Sequence, residues 1–176
     1  NIVLKYLGEQ AGDIHPALKS AVAFSAPCDL TSSSLQLGEW QNKIYMSRFM
    51  DGLKGKVIQK NEEFPGKLDL SELKKVKTFA EFDDRFTAPL NGFIDARDYW
   101  KKASSKPYLA NISIPTLLIS ALNDPFLPPA CYPEEIARMS RHFHLEIPKH
   151  GGHVGFASRG EEYWSETRCC EFLDEL

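Results

Sequence analysis

One stretch, residues 116–156, constrains the fold more than any other. It opens with Thr116-Leu117-Leu118-Ile119-Ser120-Ala121, an apolar run of strand length, which stops at Asn123-Asp124-Pro125. A helical segment follows, with proline at its first turn, over residues 133–141. A second extended run, His144-Leu145-Glu146-Ile147, then leads to His150-Gly151-Gly152-His153. Strand, acid, helix, strand, glycine turn and histidine thus succeed one another within about forty residues. A near-continuous apolar strand is buried on both faces, so it belongs to a parallel sheet covered by helices. The alternating run at residues 144–147 suits a strand nearer an edge.

A third strand is expected at residues 21–25, Ala21-Val22-Ala23-Phe24-Ser25, ended by Pro27, which cannot donate to a central ladder. Residues 1–10 read as an amphipathic helix, stopped by Gly8 and the Ala11-Gly12-Asp13 turn. Residues 31–106 change character and carry no strand alternation. There a helix is expected to about Phe49, then a charged, broken segment over residues 52–66, then a helix opened by Ser71-Glu72-Leu73-Lys74. An aromatic-rich stretch follows over residues 79–93, and a short helix over residues 96–103. This segment reads as a helical, lid-like insert laid over one end of a sheet, not as a separate domain. Residues 107–176 carry the acid and histidine strands. A closing amphipathic helix is expected over residues 160–176, with Tyr163, Trp164, Thr167, Cys170, Phe172 and Leu173 facing inward.

The chain has 176 residues, 43% hydrophobic and 26% charged, enough for one domain with a sizeable core. The 24 acidic and 21 basic residues leave a formal charge of −3, which gives no support to nucleic-acid binding. Lys74, Lys75 and Lys77, set beside Glu72 and Glu81, read as a solvated helix face. Four cysteines, Cys28, Cys131, Cys169 and Cys170, form no C-x-x-C pair and fit reduced thiols in a cytoplasmic protein. No secretory leader and no bilayer-length apolar run is apparent. The chain begins directly in a helical pattern without an initiator methionine and looks cut at or just inside a helix start.

Asp124 ends a buried strand, and His153 sits on a loop that two glycines free to adopt unusual backbone. An acid so placed can fix the tautomer of an imidazole and stabilise the imidazolium. The competing reading of Asp124 is a turn aspartate, since Asn-Asp-Pro is common turn chemistry. His150 is expected to be non-catalytic, and His15 to be a surface turn residue. His142 and His144 would share a strand face, but no third ligand completes a metal site. Ser25 lacks the flanking glycines of a nucleophile turn and is expected to cap or bond to a neighbouring loop. Ser120 reads as a buried strand residue. Cys28 and Cys131 have no activating base. Phe79, Phe82, Phe86, Phe93, Tyr99 and Trp100 could line an acyl pocket, but packing explains most of them.

Together these segments resemble the C-terminal half of an α/β hydrolase, in the YheT-like branch of predicted hydrolases. The similarity rests on Asn1-Ile-Val-Leu-Lys-Tyr-Leu-Gly-Glu9, on Ser25-Ala26-Pro27-Cys28-Asp29-Leu30, and on Phe82-Asp83-Asp84-Arg85-Phe86-Thr87-Ala88-Pro89-Leu90-Asn91-Gly92-Phe93. Asn123-Asp124-Pro125-Phe126 and His150-Gly151-Gly152-His153-Val154-Gly155-Phe156 complete it. The resemblance implies an α/β fold with about three parallel strands, flanking helices and a helical lid insert. It implies a serine esterase whose triad acid is Asp124 and whose triad histidine is His153, needing neither cofactor nor metal. Its substrate would be a small-molecule or lipid ester.

The family's G-x-S-x-G-G turn would sit immediately before Asn1. The nucleophile, the oxyanion-hole donors and the first strands are then expected in a missing N-terminal part, and this chain alone is expected to turn over no ester. Two other readings stay open. One is a non-catalytic fragment that self-associates as a homodimer through the strand edge at residues 21–25. The other is a dehalogenase or epoxide hydrolase with an aspartate nucleophile.

Overall fold

The computed structural model describes residues 1–156 and 162–176. The chain divides into two compact units, residues 1–33 with 103–176, and residues 34–102.

The first unit holds a three-stranded parallel sheet in the order β1 (Ala21–Phe24), β2 (Thr116–Ile119), β3 (Phe143–Glu146). Ala21 pairs with Thr116 and Phe24 with Ile119; Thr116 pairs in turn with Phe143 and Ile119 with Glu146. The central position goes to β2, all four of whose residues are buried. Its continuous apolarity is the mark of burial on both faces. The partly exposed β1 and the alternating β3 take the two edges.

One face of the sheet packs Leu118 and Phe143 with Leu4 and Leu7 of helix α1 (Ile2–Gln10), together with Cys28 and Leu109. The other packs Leu117 and Ile119 with Phe156 and Phe172. Phe172 belongs to helix α8 (Trp164–Asp174), and the short helix α7 (Glu134–Met139) precedes β3. Asn1, at the N-cap position of α1, uses its side chain elsewhere: its amide donates to the Ala103 carbonyl at 2.9 Å and accepts from Ser105 N–H at 3.0 Å.

Three local expectations for this unit are corrected. Gly8 does not end α1 but lies buried inside it, where a Cβ would come within 2.3 Å of the Tyr108 carbonyl oxygen. The close approach of the segment at Tyr108 is what requires glycine. On α8, Phe172 is buried and Trp164 half-buried, whereas Tyr163, Thr167, Cys170 and Leu173 are exposed. The inward stripe is shifted because Arg168 turns toward β3, donating to both Glu146 carboxylate oxygens (2.7–3.1 Å). The part of the expected helix over residues 160–161 lies outside the described residues. Ser25 makes no cap: its Oγ is buried and has no hydrogen-bond partner among the described residues, while its backbone N–H donates to Ile119 O at 2.7 Å.

Helix α2 (Leu30–Gly38) leads into the second unit, which is helical among the described residues. Its main element is helix α3 (Lys43–Glu63), 21 residues long. The expected break at residue 52 does not occur. Gly52 and Gly55 both lie within α3, and the helix runs on to Glu63. Met46, Met50 and Val57 supply a buried stripe at helical spacing that outweighs the roughly 1 kcal/mol cost of each glycine. Conversely, residues 71–74 open no α-helix; only a 3₁₀ turn, Leu73–Lys75, forms there.

The aromatic stretch begins at helix α4 (Phe79–Phe82), whose start is fixed by a capping box between Thr78 and Glu81. It continues as a π-helical turn, Asp83–Thr87, and then the short helix α5 (Ala88–Leu90). The last helix of the unit, α6 (Ala96–Ala103), presents Trp100 to Asp83: the indole N–H donates to the carboxylate at 2.7 Å. Thr87 Oγ1 donates to the same carboxylate, and Asp84 accepts from Ala96 N–H at 2.6 Å. Phe82 and Phe86 are buried in this unit's core with Leu73 and Val76. No described helix is long and apolar enough to cross a membrane.

Candidate active site

Parallel β-strands bring their carboxyl ends to one rim, and loops leaving adjacent strands therefore meet there. Asp124 follows β2 and His153 follows β3, so two residues 29 apart in sequence become neighbours. The Nδ1 of His153 lies 2.8 Å from Oδ2 of Asp124. The Asp124 side chain is fully buried, while the His153 side chain remains 32% exposed.

Each member is held locally. Asp124 Oδ1 accepts from Phe126 N–H at 2.9 Å, and the backbone N–H of Asp124 donates to Ala121 O at 3.1 Å. Both carboxylate oxygens are therefore engaged, which offsets the cost of burying the charge. The Phe126 ring lies 4.7 Å from the imidazole, centroid to centroid, and restricts its rotation. Tyr132 donates its hydroxyl to Ala121 O at 2.6 Å, anchoring the strand end that carries the acid. Burial, and then the Asp124 charge, push the Tyr132 phenol up to about 12, so it acts as a neutral donor.

The glycine pair has a distinct use at each position. Gly152 has φ +59, in the left-handed region. At Gly151 a Cβ would lie 2.7 Å from the Phe156 ring and 2.9 Å from Ala121. Phe156 is buried beneath the loop, with its ring 5.7 Å from Phe24 and 5.9 Å from Trp164. Asn123 supplies what the sequence reading did not recognise. Its side-chain oxygen accepts from both Gly151 N–H (3.0 Å) and Gly152 N–H (2.9 Å). The signal was its place directly before the acid, but its partners lie 28 and 29 residues away.

Other candidate residues stand apart from this pair. His150 and His142 are exposed, and His15 accepts from Ala17 N–H at 3.2 Å within its turn. His144, on β3, packs edge-on to Phe172 at 5.9 Å. Among the described residues no group of three metal-ligating side chains gathers. Burial pushes the Cys28 thiol up to about 11 and also raises that of Cys131. Ser120 is fully buried just past β2.

A buried carboxylate bonded to a half-exposed imidazole can fix the tautomer of that ring and stabilise its cation. It can therefore assist a neighbouring hydroxyl in giving up its proton.

No family model matches the chain, and no solved structure does. Curated proteins do match. Putative esterase YheT of Escherichia coli is 32% identical over 178 residues, which cover 98% of this chain and 52% of that protein. Phospholipase ABHD3 of Mus musculus is 30% identical, covering 99% of this chain and 41% of its own length. Monoacylglycerol lipase of Saccharomyces cerevisiae is 29% identical, with 98% and 40% covered. The chain thus spans about half the length, or less, of the curated relatives it matches. With three parallel strands and flanking helices of the C-terminal part of that fold, the chain belongs to the α/β-hydrolase superfamily, in its YheT-like branch.

Proposed function

We propose that Asp124 and His153 are the acid and the histidine of a serine-hydrolase triad that cleaves carboxylic esters. The nucleophile, in this reading, comes from a part of the protein outside these 176 residues. The observation that carries the reading is the 2.8 Å contact between His153 Nδ1 and the buried Asp124 carboxylate. Relatives named esterase, phospholipase and monoacylglycerol lipase support an ester substrate, small or lipid.

In this mechanism His153 Nε2 takes the proton of the serine hydroxyl as its oxygen attacks the acyl carbonyl. Asp124 stabilises the imidazolium so formed. His153 returns the proton to the departing alcohol, then takes one from water as it attacks the acyl-enzyme, and gives that proton to the serine oxygen as the carboxylic acid leaves. No step requires a cofactor or metal. A chain without the nucleophile forms no acyl-enzyme.

Fluorophosphonate labelling tests the reading. A longer form of the protein should be labelled and should hydrolyse a p-nitrophenyl acyl ester, and H153A should abolish turnover. The 176-residue chain should remain unlabelled. Undiminished turnover in H153A would overturn the assignment.

A second reading is favoured by one observation. β1 is an edge strand, and the adjoining α1 exposes Ile2 (83%), Val3 (50%) and Tyr6 (42%). Two copies of this chain would associate through that region. Sedimentation should show a concentration-dependent dimer, and a monomer at high concentration would rule it out.

A further inference from the structure

Within the second unit, α3 borders a groove of about 480 Å³, inside the roughly 300–1,000 Å³ span of small-molecule sites. Its floor is apolar: Met46, Met50 and Val76 are 2–7% exposed. Lys43, Lys54 and Lys77 stand around it, from the start of α3, its middle and the segment before α4. Trp40, 83% exposed, also lines it.

The charges around the groove are unbalanced. Three ammonium groups face one lining carboxylate, Asp51. Among the described residues none of the three lysines forms a contact ion pair with a carboxylate; Lys54 only reaches the Lys74 carbonyl, at 3.5 Å, and the charge of Lys77 acts on nearby Glu81. The Glu81 carboxylate does not line the groove and is engaged by the N–H groups of Lys77 and Thr78, at 2.6 and 3.0 Å.

An excess of positive charge in a chain whose formal charge is −3 is a local arrangement, not a reflection of composition. We infer that this groove binds a free anionic amphiphile, a fatty-acid anion, with its chain on Met46, Met50 and Val76 and its carboxylate held at the lysine-bearing rim. The concave floor takes one chain. A bilayer would need a broad protruding apolar face instead. The inference does not depend on the triad.

Decanoate, below its micellar concentration, is the probe, and Trp40 is the reporter in the 176-residue chain. Decanoate should shift the emission to the blue and saturate, and W40F should remove the change. K43E/K77E should weaken decanoate at least tenfold, and D51N should tighten it several-fold, a gain that misfolding cannot produce. Decanol, which lacks the charge, should bind at least tenfold more weakly. Equal binding of decanol, a shift that persists in W40F, no response to decanoate, or binding confined to phosphatidylglycerol vesicles would each overturn the inference.

Discussion

The side-chain oxygen of Asn123 accepts the backbone N–H of Gly152 at 2.9 Å, tying the residue before the acid to the residue before the histidine. With the matching bond to Gly151, one side chain sets the loop that carries His153 against the strand end that carries Asp124.

Replacing Asn123 by alanine leaves two loop N–H groups without their acceptor, at a cost of about 1–2 kcal/mol. N123A should weaken the downfield imidazole N–H signal that the His153–Asp124 bond produces in proton NMR. N123D, which keeps the acceptor, should largely restore it. An unchanged signal in N123A would show that the loop holds without this bond.

D124N should remove that downfield signal altogether, because an amide no longer dictates the imidazole tautomer. In a longer, active form, the fall in kcat should be on the order of ten-thousand-fold, the effect seen when a triad aspartate is replaced by asparagine. KM should change far less. Steady-state kinetics on the variant separates this from a folding defect.

The two glycines should respond differently. Gly151→Ala places a methyl group against the Phe156 ring and should destabilise the chain by about 1–3 kcal/mol. Gly152→Ala meets open space but sits at φ +59, so strain alone should cost about 1–2 kcal/mol. Urea unfolding of both variants checks the order.

Burial raises the pKa of Asp83, against the lowering effects of Thr87 and Trp100. A carboxyl group whose folded pKa exceeds its unfolded value contributes stability that is complete below the unfolded value, about 4, and is lost as pH rises through the folded one. D83N keeps an acceptor for the Trp100 indole and removes that titration. Its stability relative to the parent should therefore improve as pH rises from about 4 toward neutrality. Urea melts across that range, followed by Trp100 fluorescence, measure the trend.

Thiol accessibility should follow depth. Cys170 is exposed and should react with a disulfide reagent within the first phase, followed by half-buried Cys169. Cys28 and Cys131, buried and with raised pKa, should react only on unfolding. Four equally fast thiols at neutral pH would contradict the packing of the first unit.

Much of this protein is written in its periodicities. The uninterrupted apolarity of residues 116–119 marked a central parallel strand, because only burial on two faces tolerates it. The alternation at residues 144–147 marked an edge. Asp124 and His153 could be singled out because each sits where a strand meets turn chemistry. Other features depended on partners distant in sequence. The glycines at 52 and 55 read as breaks, yet the stripe of Met46, Met50 and Val57 finds a core that keeps α3 intact. Arg168 lies off the inward stripe expected of the closing helix, yet a carboxylate on β3 draws it toward the sheet. The bonds that Asn123 makes and the charge balance around the groove lysines carried no local signature, since they are set by groups that meet only once the chain has folded. Local propensity and hydrophobic spacing are properties of neighbours along the chain; hydrogen-bond acceptors, charge balance and packing against a ring belong to neighbours in space.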